Sequence, residues 1–146
     1  MKNIYLAGSG IGQSMSPIIN PGDKIYITKT APNLLQRGDI IVFFYKKKLI
    51  SHRIVRIFQD SILTKGDNTA SYDTVINKKF ILGRVVLVIG RFGNIHLDSK
   101  TAHFLKHYYL LCSLVSYYLP RLTYCIVLRM MIGRRMLLKL QQQKRA

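Results

Sequence analysis

Glutamate is absent from this chain of 146 residues, and all six acidic side chains are aspartates. So few carboxylates exclude a metal site built from many acidic ligands. Cysteine is scarce as well, because only Cys112 and Cys125 are present and they show none of the spacings of a zinc site. On one helix these two positions would point roughly 140° apart, so we expect buried thiols rather than a disulfide. We expect neither a metal nor a cofactor.

Basic side chains are abundant by contrast. The chain has 23 Lys and Arg residues and a formal net charge of +17. Hydrophobic residues make up 49% of it, which is too many for a disordered polycation. The charge favours an anionic partner, either nucleic acid or an anionic membrane. Because no helix-turn-helix, zinc-finger or aromatic RNA-reading signature is present, a membrane is the favoured partner. A non-enzymatic basic module that binds membrane or nucleic acid stays as an alternative function.

The composition changes near residue 100. Residues 1–106 carry 16 basic and 6 acidic side chains, whereas residues 107–146 carry 7 basic and no acidic side chains. This change predicts a β domain over residues 1–100, followed by a helical segment with a basic tail over residues 101–146.

The first hundred residues have the pattern of a mainly β fold. Runs of β-branched and aromatic residues between turn residues predict strands, at residues 23–30, 39–45, 49–58, 61–65 and 80–89. Gly83 lies inside the last run and predicts a bulge. The apolar patch at the very start is shorter than the ~7–15 apolar residues of a signal peptide.

The last third predicts one or two helices over residues 101–143, with a kink or break at Pro120. Residues 108–128 are 21 residues long and carry a single charge, Arg121. About 20 residues cross a bilayer, but a central Arg costs about 2.5–3.5 kcal/mol there. A spanning helix therefore competes with amphipathic helices that lie flat in the interface. We expect membrane association through residues 104–140 by one of these two routes. A helical pair packed on the β domain in water is the alternative.

A set of short segments in fixed order points to a chemistry. The segments are GQSMSP at 12–17, RGDIIVF at 37–43, SHRIVR at 51–56, TKGDN at 64–68 and GRVV at 83–86. Together they resemble the type I signal peptidase family, from about Gly10 to Val86, roughly half the chain. The resemblance implies a compact, coiled β-sheet catalytic domain. It also implies a serine endopeptidase that cuts a signal or leader segment from a precursor protein or peptide next to small residues, through an acyl-enzyme.

The resemblance also implies the roles of single residues. Many bacterial members have a Lys as general base just before the Arg of the third segment, where this chain has His52. With His52 at this position, the chain is similar to the endoplasmic-reticulum, archaeal and sporulating-bacterial branch of the family, whose members use Ser, His and Asp. Ser14 is then the nucleophile, His52 the base and Asp73 the acid, with Asp67 as a supporting or alternative acid. An imidazole, with an unperturbed pKa of about 6.5, suits proton transfer to and from a serine, and a carboxylate fixes its tautomer.

The chain departs from the family pattern at two places. Gly12 stands where family members commonly have a Ser that helps to stabilise the oxyanion, so we assign oxyanion and substrate positioning to Gly12 and Met15, with the Ser14 amide as a donor. Only thirteen residues precede Ser14, where family members usually have a transmembrane helix. We therefore expect membrane attachment from the C-terminal third, and the side of the membrane stays open.

Other interpretations of the same residues stay open. Lys65 or the run Lys46–Lys48 offers another base, although three lysines at a hairpin tip are usually solvated. Gly-Asp-Asn is also an ordinary turn sequence. Self-cleaving repressor-type proteases share the β fold, but they use a Ser-Lys dyad behind a DNA-binding domain.

Overall fold

Eight strands form one antiparallel sheet in the computed structural model, which describes residues 3–91, 93–99, 102, 106–108, 110–112 and 115. The strands are β1 (Ile4–Ser9), β2 (Lys24–Thr28), β3 (Ile40–Tyr45), β4 (Lys48–Ile57), β5 (Ser61–Lys65), β6 (Ile76–Asn77), β7 (Ile81–Gly90) and β8 (Gly93–His96). Two single turns of 3₁₀ helix lie at Pro32–Leu34 and Lys78–Phe80. The predicted mainly β fold is confirmed.

The long strand β7 joins the two parts of the sheet. The strand order is β1-β2-β7-β3-β4-β5-β6, and β8 also pairs with β7. β3 pairs with the first part of β7 and β8 with its last part, while β2 runs along the other edge. Register shifts occur in the pairs β1–β2, β2–β7, β3–β7 and β4–β5. Because each shift bends and twists its strand, the sheet is curled.

Both faces of the sheet are buried in its middle. Ile40 and Val42 of β3 belong to one apolar cluster, and Ile41 and Phe43 belong to the other. Successive strand residues point to opposite faces, so the unbroken apolar run of β3 fills two cores at once. This accounts for a continuous hydrophobic run where a strand with one wet face would alternate.

The five predicted strands are present as β2, β3, β4, β5 and β7, with ends displaced by two residues or fewer. Gly83 lies beside a register shift in the β3–β7 pair, and a Cβ atom there would be only 2.6 Å from the Thr28 carbonyl oxygen. The glycine thus permits close approach of two backbones as well as a bulge. The prediction missed β1, β6 and β8, which are short or carry mostly exposed side chains.

The described residues after Ser99 are helical at positions 102, 106–108, 110–112 and 115. Ala102 and Cys112 are buried in the same cluster as Ile40 and Val42, so this part of the helix packs on the sheet. Among the described residues, no helix is both long and apolar enough to cross a membrane. Pro120, most of the span 108–128, Cys125 and the basic tail lie outside the described residues, so the helical segment 101–146 stays a prediction.

Candidate active site

Ser14 lies in the turn between β1 and β2, and the apolar residues after it hold that turn in place. The side chains of Met15, Ile18 and Ile19 are 2%, 0% and 2% exposed. The amides of Ile18 and Ile19 both donate to the Met15 carbonyl oxygen at 3.0 Å. This spacing buries one side of a helix-like turn and leaves Ser14 half-buried on the other. Because its side chain lies in the core, Met15 positions the turn rather than contacting solvent beside Ser14.

A second turn, at residues 66–69 after β5, packs directly on Ser14. The Asn68 amide donates to the Ser14 carbonyl oxygen at 2.7 Å, and the Asn68 side chain donates to the Gln13 carbonyl oxygen at 3.2 Å. A Cβ atom on Gly66 would be only 2.7 Å from the Ser14 carbonyl oxygen, so this contact requires a glycine. The predicted Gly-Asp-Asn turn therefore supports the backbone of Ser14.

His52 lies in β4 opposite Ile41 of β3, with only 8% of its surface exposed. Its Nε2 atom is 2.9 Å from Ser14 Oγ, and its Nδ1 atom is 2.6 Å from Asp73 Oδ2. The edge-to-face contact with the buried Phe43 ring, at 6.4 Å between centroids, restricts the imidazole further. These partners suit a neutral imidazole that donates from Nδ1 to a carboxylate and accepts a hydroxyl proton at Nε2.

Asp73 is held in place by Thr64 of β5. The Thr64 hydroxyl donates to Asp73 Oδ2 at 2.7 Å, and the Asp73 amide donates to the Thr64 carbonyl oxygen at 2.9 Å. Thr64 is fully buried, so it fixes the carboxylate with a well-defined geometry. The roles of Thr64 and Asn68 were not predicted, although both residues belong to the TKGDN segment at 64–68. Their position in that segment was the signal that could have indicated a role at the site.

Asp67 lies in the same turn but bonds to a different partner. Arg53 donates to it through two parallel bonds, from Nε to Oδ1 at 2.7 Å and from Nη2 to Oδ2 at 2.6 Å. The two side chains are 3% and 0% exposed. Arg53 also donates to the Gly38 carbonyl oxygen at 2.7 Å. Paired charges with further hydrogen bonds are what burial of a carboxylate requires, so Asp67 ties its turn to β4.

Comparison with known proteins finds similarity to a signal peptidase subunit. No protein-family model matches the chain. The signal peptidase complex catalytic subunit SEC11 of Pyricularia oryzae is 37% identical over 93 residues, which cover 52% of this chain and 53% of that protein. The chain is related to the type I signal peptidase family. This confirms the resemblance predicted from the sequence segments. The chain spans about half the length of this curated relative.

Gly12 of this chain is exposed, and the space beside its Cα atom is open. A Cβ atom added to it would meet no atom within 4 Å among the described residues. Because glycine has no side chain, the hydroxyl that many signal peptidases have at this position is absent, and the space beside Gly12 is open among the described residues.

Lys65 is a second basic residue near Ser14 and His52 in this chain. It ends β5, its side chain is fully buried, and its Nζ donates to the Gly66 carbonyl oxygen at 3.2 Å. Burial lowers the pKa of Lys65, and the charges of Asp67 and Asp73 oppose that shift. Lys46 and Lys47 lie instead in the turn between β3 and β4 with left-handed backbone φ angles of 46° and 61°.

The lowered pKa of Lys65 predicts a stability that depends on pH. Between its folded-state pKa and its ordinary value of 10.5, the unfolded chain binds more protons at this side chain than the folded chain. The contribution of Lys65 to the free energy of unfolding therefore rises as pH increases through this window. We expect Lys65→Met to flatten this rise in urea titrations from about pH 7 to 10.5. Lys48→Met, at an exposed lysine, is the matched control, and equal pH slopes in Lys65→Met and the unsubstituted chain would contradict the prediction.

Proposed function

We propose that this chain is a serine endopeptidase of signal-peptidase type that cuts a signal or leader segment from a precursor next to small residues. The observation that carries the proposal is the unbroken chain of hydrogen bonds from Ser14 Oγ to His52 Nε2, at 2.9 Å, and from His52 Nδ1 to Asp73 Oδ2, at 2.6 Å. Nucleophile, base and orienting carboxylate at hydrogen-bond distance are the geometry that serine acyl transfer needs. The kinship with signal peptidases supports the substrate class.

The proposed reaction has two halves. In the first, Ser14 Oγ attacks the scissile carbonyl carbon while His52 Nε2 takes the hydroxyl proton. When the C–N bond breaks, His52 returns that proton to the leaving amine and an ester forms on Ser14. In the second half, His52 removes a proton from water, whose oxygen attacks the ester, and the proton returns to Ser14 Oγ. The Asp73 carboxylate stabilises the imidazolium in both halves.

The oxyanion is stabilised by fewer side-chain groups than in many family members. The Ser14 amide is the proposed donor, and Gly12 offers no hydroxyl in the exposed space before it. Loss of one oxyanion donor costs on the order of 10²–10³ in rate. We therefore expect a slower enzyme of the same reaction type, unless the substrate or a partner supplies a donor.

The proposed substrate binds as an extended segment that adds to an edge of the sheet. β1 is an edge strand, and it leads along the chain into the turn that carries Ser14. Its Ile4, Tyr5 and Leu6 side chains are about half exposed. Backbone hydrogen bonds to an edge strand bind a peptide without regard to its sequence, and small side chains beside the scissile bond then set the preference.

We also propose that residues 104–140 hold the protein at an anionic membrane, as part of a helical segment 101–146 that follows the catalytic domain 1–100. Seven basic and no acidic side chains after residue 106 support this assignment.

A cleavage assay tests the proposed function. The full chain, with vesicles that contain anionic lipid, is incubated with a precursor that carries a leader, and the new N-terminus is sequenced. We expect one cut beside small residues, and a fluorophosphonate adduct that mass spectrometry assigns to Ser14. An intact precursor without a Ser14 adduct would contradict the proposal. Steep salt dependence of nucleic-acid binding in the same preparation would then favour the basic binding module.

A further inference from the structure

A small cavity with both apolar and charged lining residues lies where β3, β4 and β7 meet the helical residues, apart from the Ser14 turn. Its volume is about 30 Å³, and its polar lining comes from Asp39, Arg53, Arg84 and Lys106. A water molecule needs about 10–15 Å³ of such space and at least two polar partners. The cavity therefore has room for one or two small species.

The charges around the cavity do not balance. Arg53 is neutralised by Asp67 through its two parallel bonds. Lys106 Nζ and Arg84 Nη1 share the remaining carboxylate, at 3.1 Å and 3.9 Å from Asp39 Oδ1. The Lys106 and Asp39 side chains are only 9% and 5% exposed. One positive charge is thus left in excess at the cavity, where the Arg84 side chain is 24% exposed.

Arg84 also has a polar atom that the described part of the chain does not satisfy. Its Nε atom is buried and has no hydrogen-bond partner among the described residues. The great majority of buried donors in proteins are paired, and an unpaired one commonly marks a water or ion. A guanidinium nitrogen can only donate, so the missing partner must be an acceptor.

We propose that this cavity binds one monatomic anion of the halide class. A halide accepts hydrogen bonds and adds a negative charge, so it satisfies Arg84 Nε and balances the excess positive charge together. Water would accept the hydrogen bond from Arg84 Nε but would not balance the charge. The small volume of the cavity disfavours a polyatomic oxyanion. Because Lys106 belongs to the helix and Arg84 to β7, a bound halide stabilises the contact between helix and sheet.

Thermal unfolding of the full chain in one nonionic detergent tests the site with bromide as the probe. Sodium bromide is compared with sodium gluconate at equal ionic strength, so that screening of the net charge is the same. We expect a saturable rise of the midpoint by roughly 3–6 °C in about tenfold excess of bromide over its dissociation constant. Arg84→Gln should abolish the rise. Arg56→Gln, the same change at an exposed arginine of β4, should retain it.

Crystals of the unsubstituted chain grown in bromide give a second test that does not depend on a folded Arg84→Gln variant. We expect an anomalous scattering peak in the cavity, within hydrogen-bond distance of Arg84. Density without an anomalous signal there would show that the cavity holds only water and would overturn the proposal. Equal midpoints in bromide and gluconate for the unsubstituted chain would overturn it as well.

Discussion

Alanine at Ser14 is expected to lower kcat for precursor cleavage by about four to six orders of magnitude, because no other group replaces the hydroxyl nucleophile. Alanine at His52 should cost nearly as much, since the serine hydroxyl is then without its base. The Ser14→Ala/His52→Ala double variant should lose little more than either single variant, because the two side chains act as a unit. The measurement is single-turnover cleavage of a leader-bearing precursor, with circular dichroism to verify the fold.

The neighbouring hydroxyl of Ser16 provides a matched control for Ser14→Ala. Ser16 Oγ donates to Asn20 Oδ1 at 3.0 Å within the same turn, so Ser16→Ala removes a hydroxyl without touching His52. We expect its kcat to stay within a few-fold of the unsubstituted chain. Full activity of His52→Ala would exclude His52 as the general base, and equal losses in Ser14→Ala and Ser16→Ala would point to a disturbed turn instead.

The strands of the sheet were largely predictable because their apolar runs are local features of the sequence. The run at residues 39–45 predicts a strand, and the structure places β3 there. That this strand is buried on both faces depends on β7, which joins it from about forty residues further along the chain. β1 was not predicted, because its side chains are mostly exposed and its pairing with β2 is set by backbone hydrogen bonds.

The candidate site was predictable in its residue types but not in its contacts. The resemblance pointed to Ser14, His52 and Asp73, and the structure brings them within hydrogen-bond distance across separations of 38 and 21 residues. Their catalytic roles stay a proposal. The contacts of Thr64 and Asn68 could not be predicted, because they depend on how β5 and the turn after it approach the Ser14 turn.

The sequence left two candidate acids, and the geometry of one strand separates them. His52 and Arg53 are successive residues of β4, so their side chains leave opposite faces of the strand. His52 meets Asp73, whereas Arg53 meets Asp67. The two aspartates therefore differ in partner and in burial, and the same substitution at each should give a different kind of defect.

Asp73→Asn is expected to lower kcat by about 10²–10⁴-fold while the protein stays folded. In the structure a single oxygen, Oδ2, accepts from both His52 Nδ1 and the Thr64 hydroxyl. An amide oxygen in that place can keep both hydrogen bonds, so the loss comes from the missing negative charge that stabilises the imidazolium. An amide turned the other way would place its NH₂ group against Nδ1 and favour the wrong tautomer, which moves the loss toward the larger value.

Asp67→Asn is the matched control, because it makes the same chemical change at the other aspartate. It leaves the buried Arg53 guanidinium without its charge partner, which should cost about 3–5 kcal/mol of the free energy of unfolding in urea titrations. Its kcat per folded molecule should fall far less than that of Asp73→Asn, whose side chain is 26% exposed and whose stability should change little. The catalytic acid is the one whose negative charge stabilises the imidazolium. A larger loss of kcat per folded molecule in Asp67→Asn than in Asp73→Asn would therefore assign that role to Asp67 instead of Asp73.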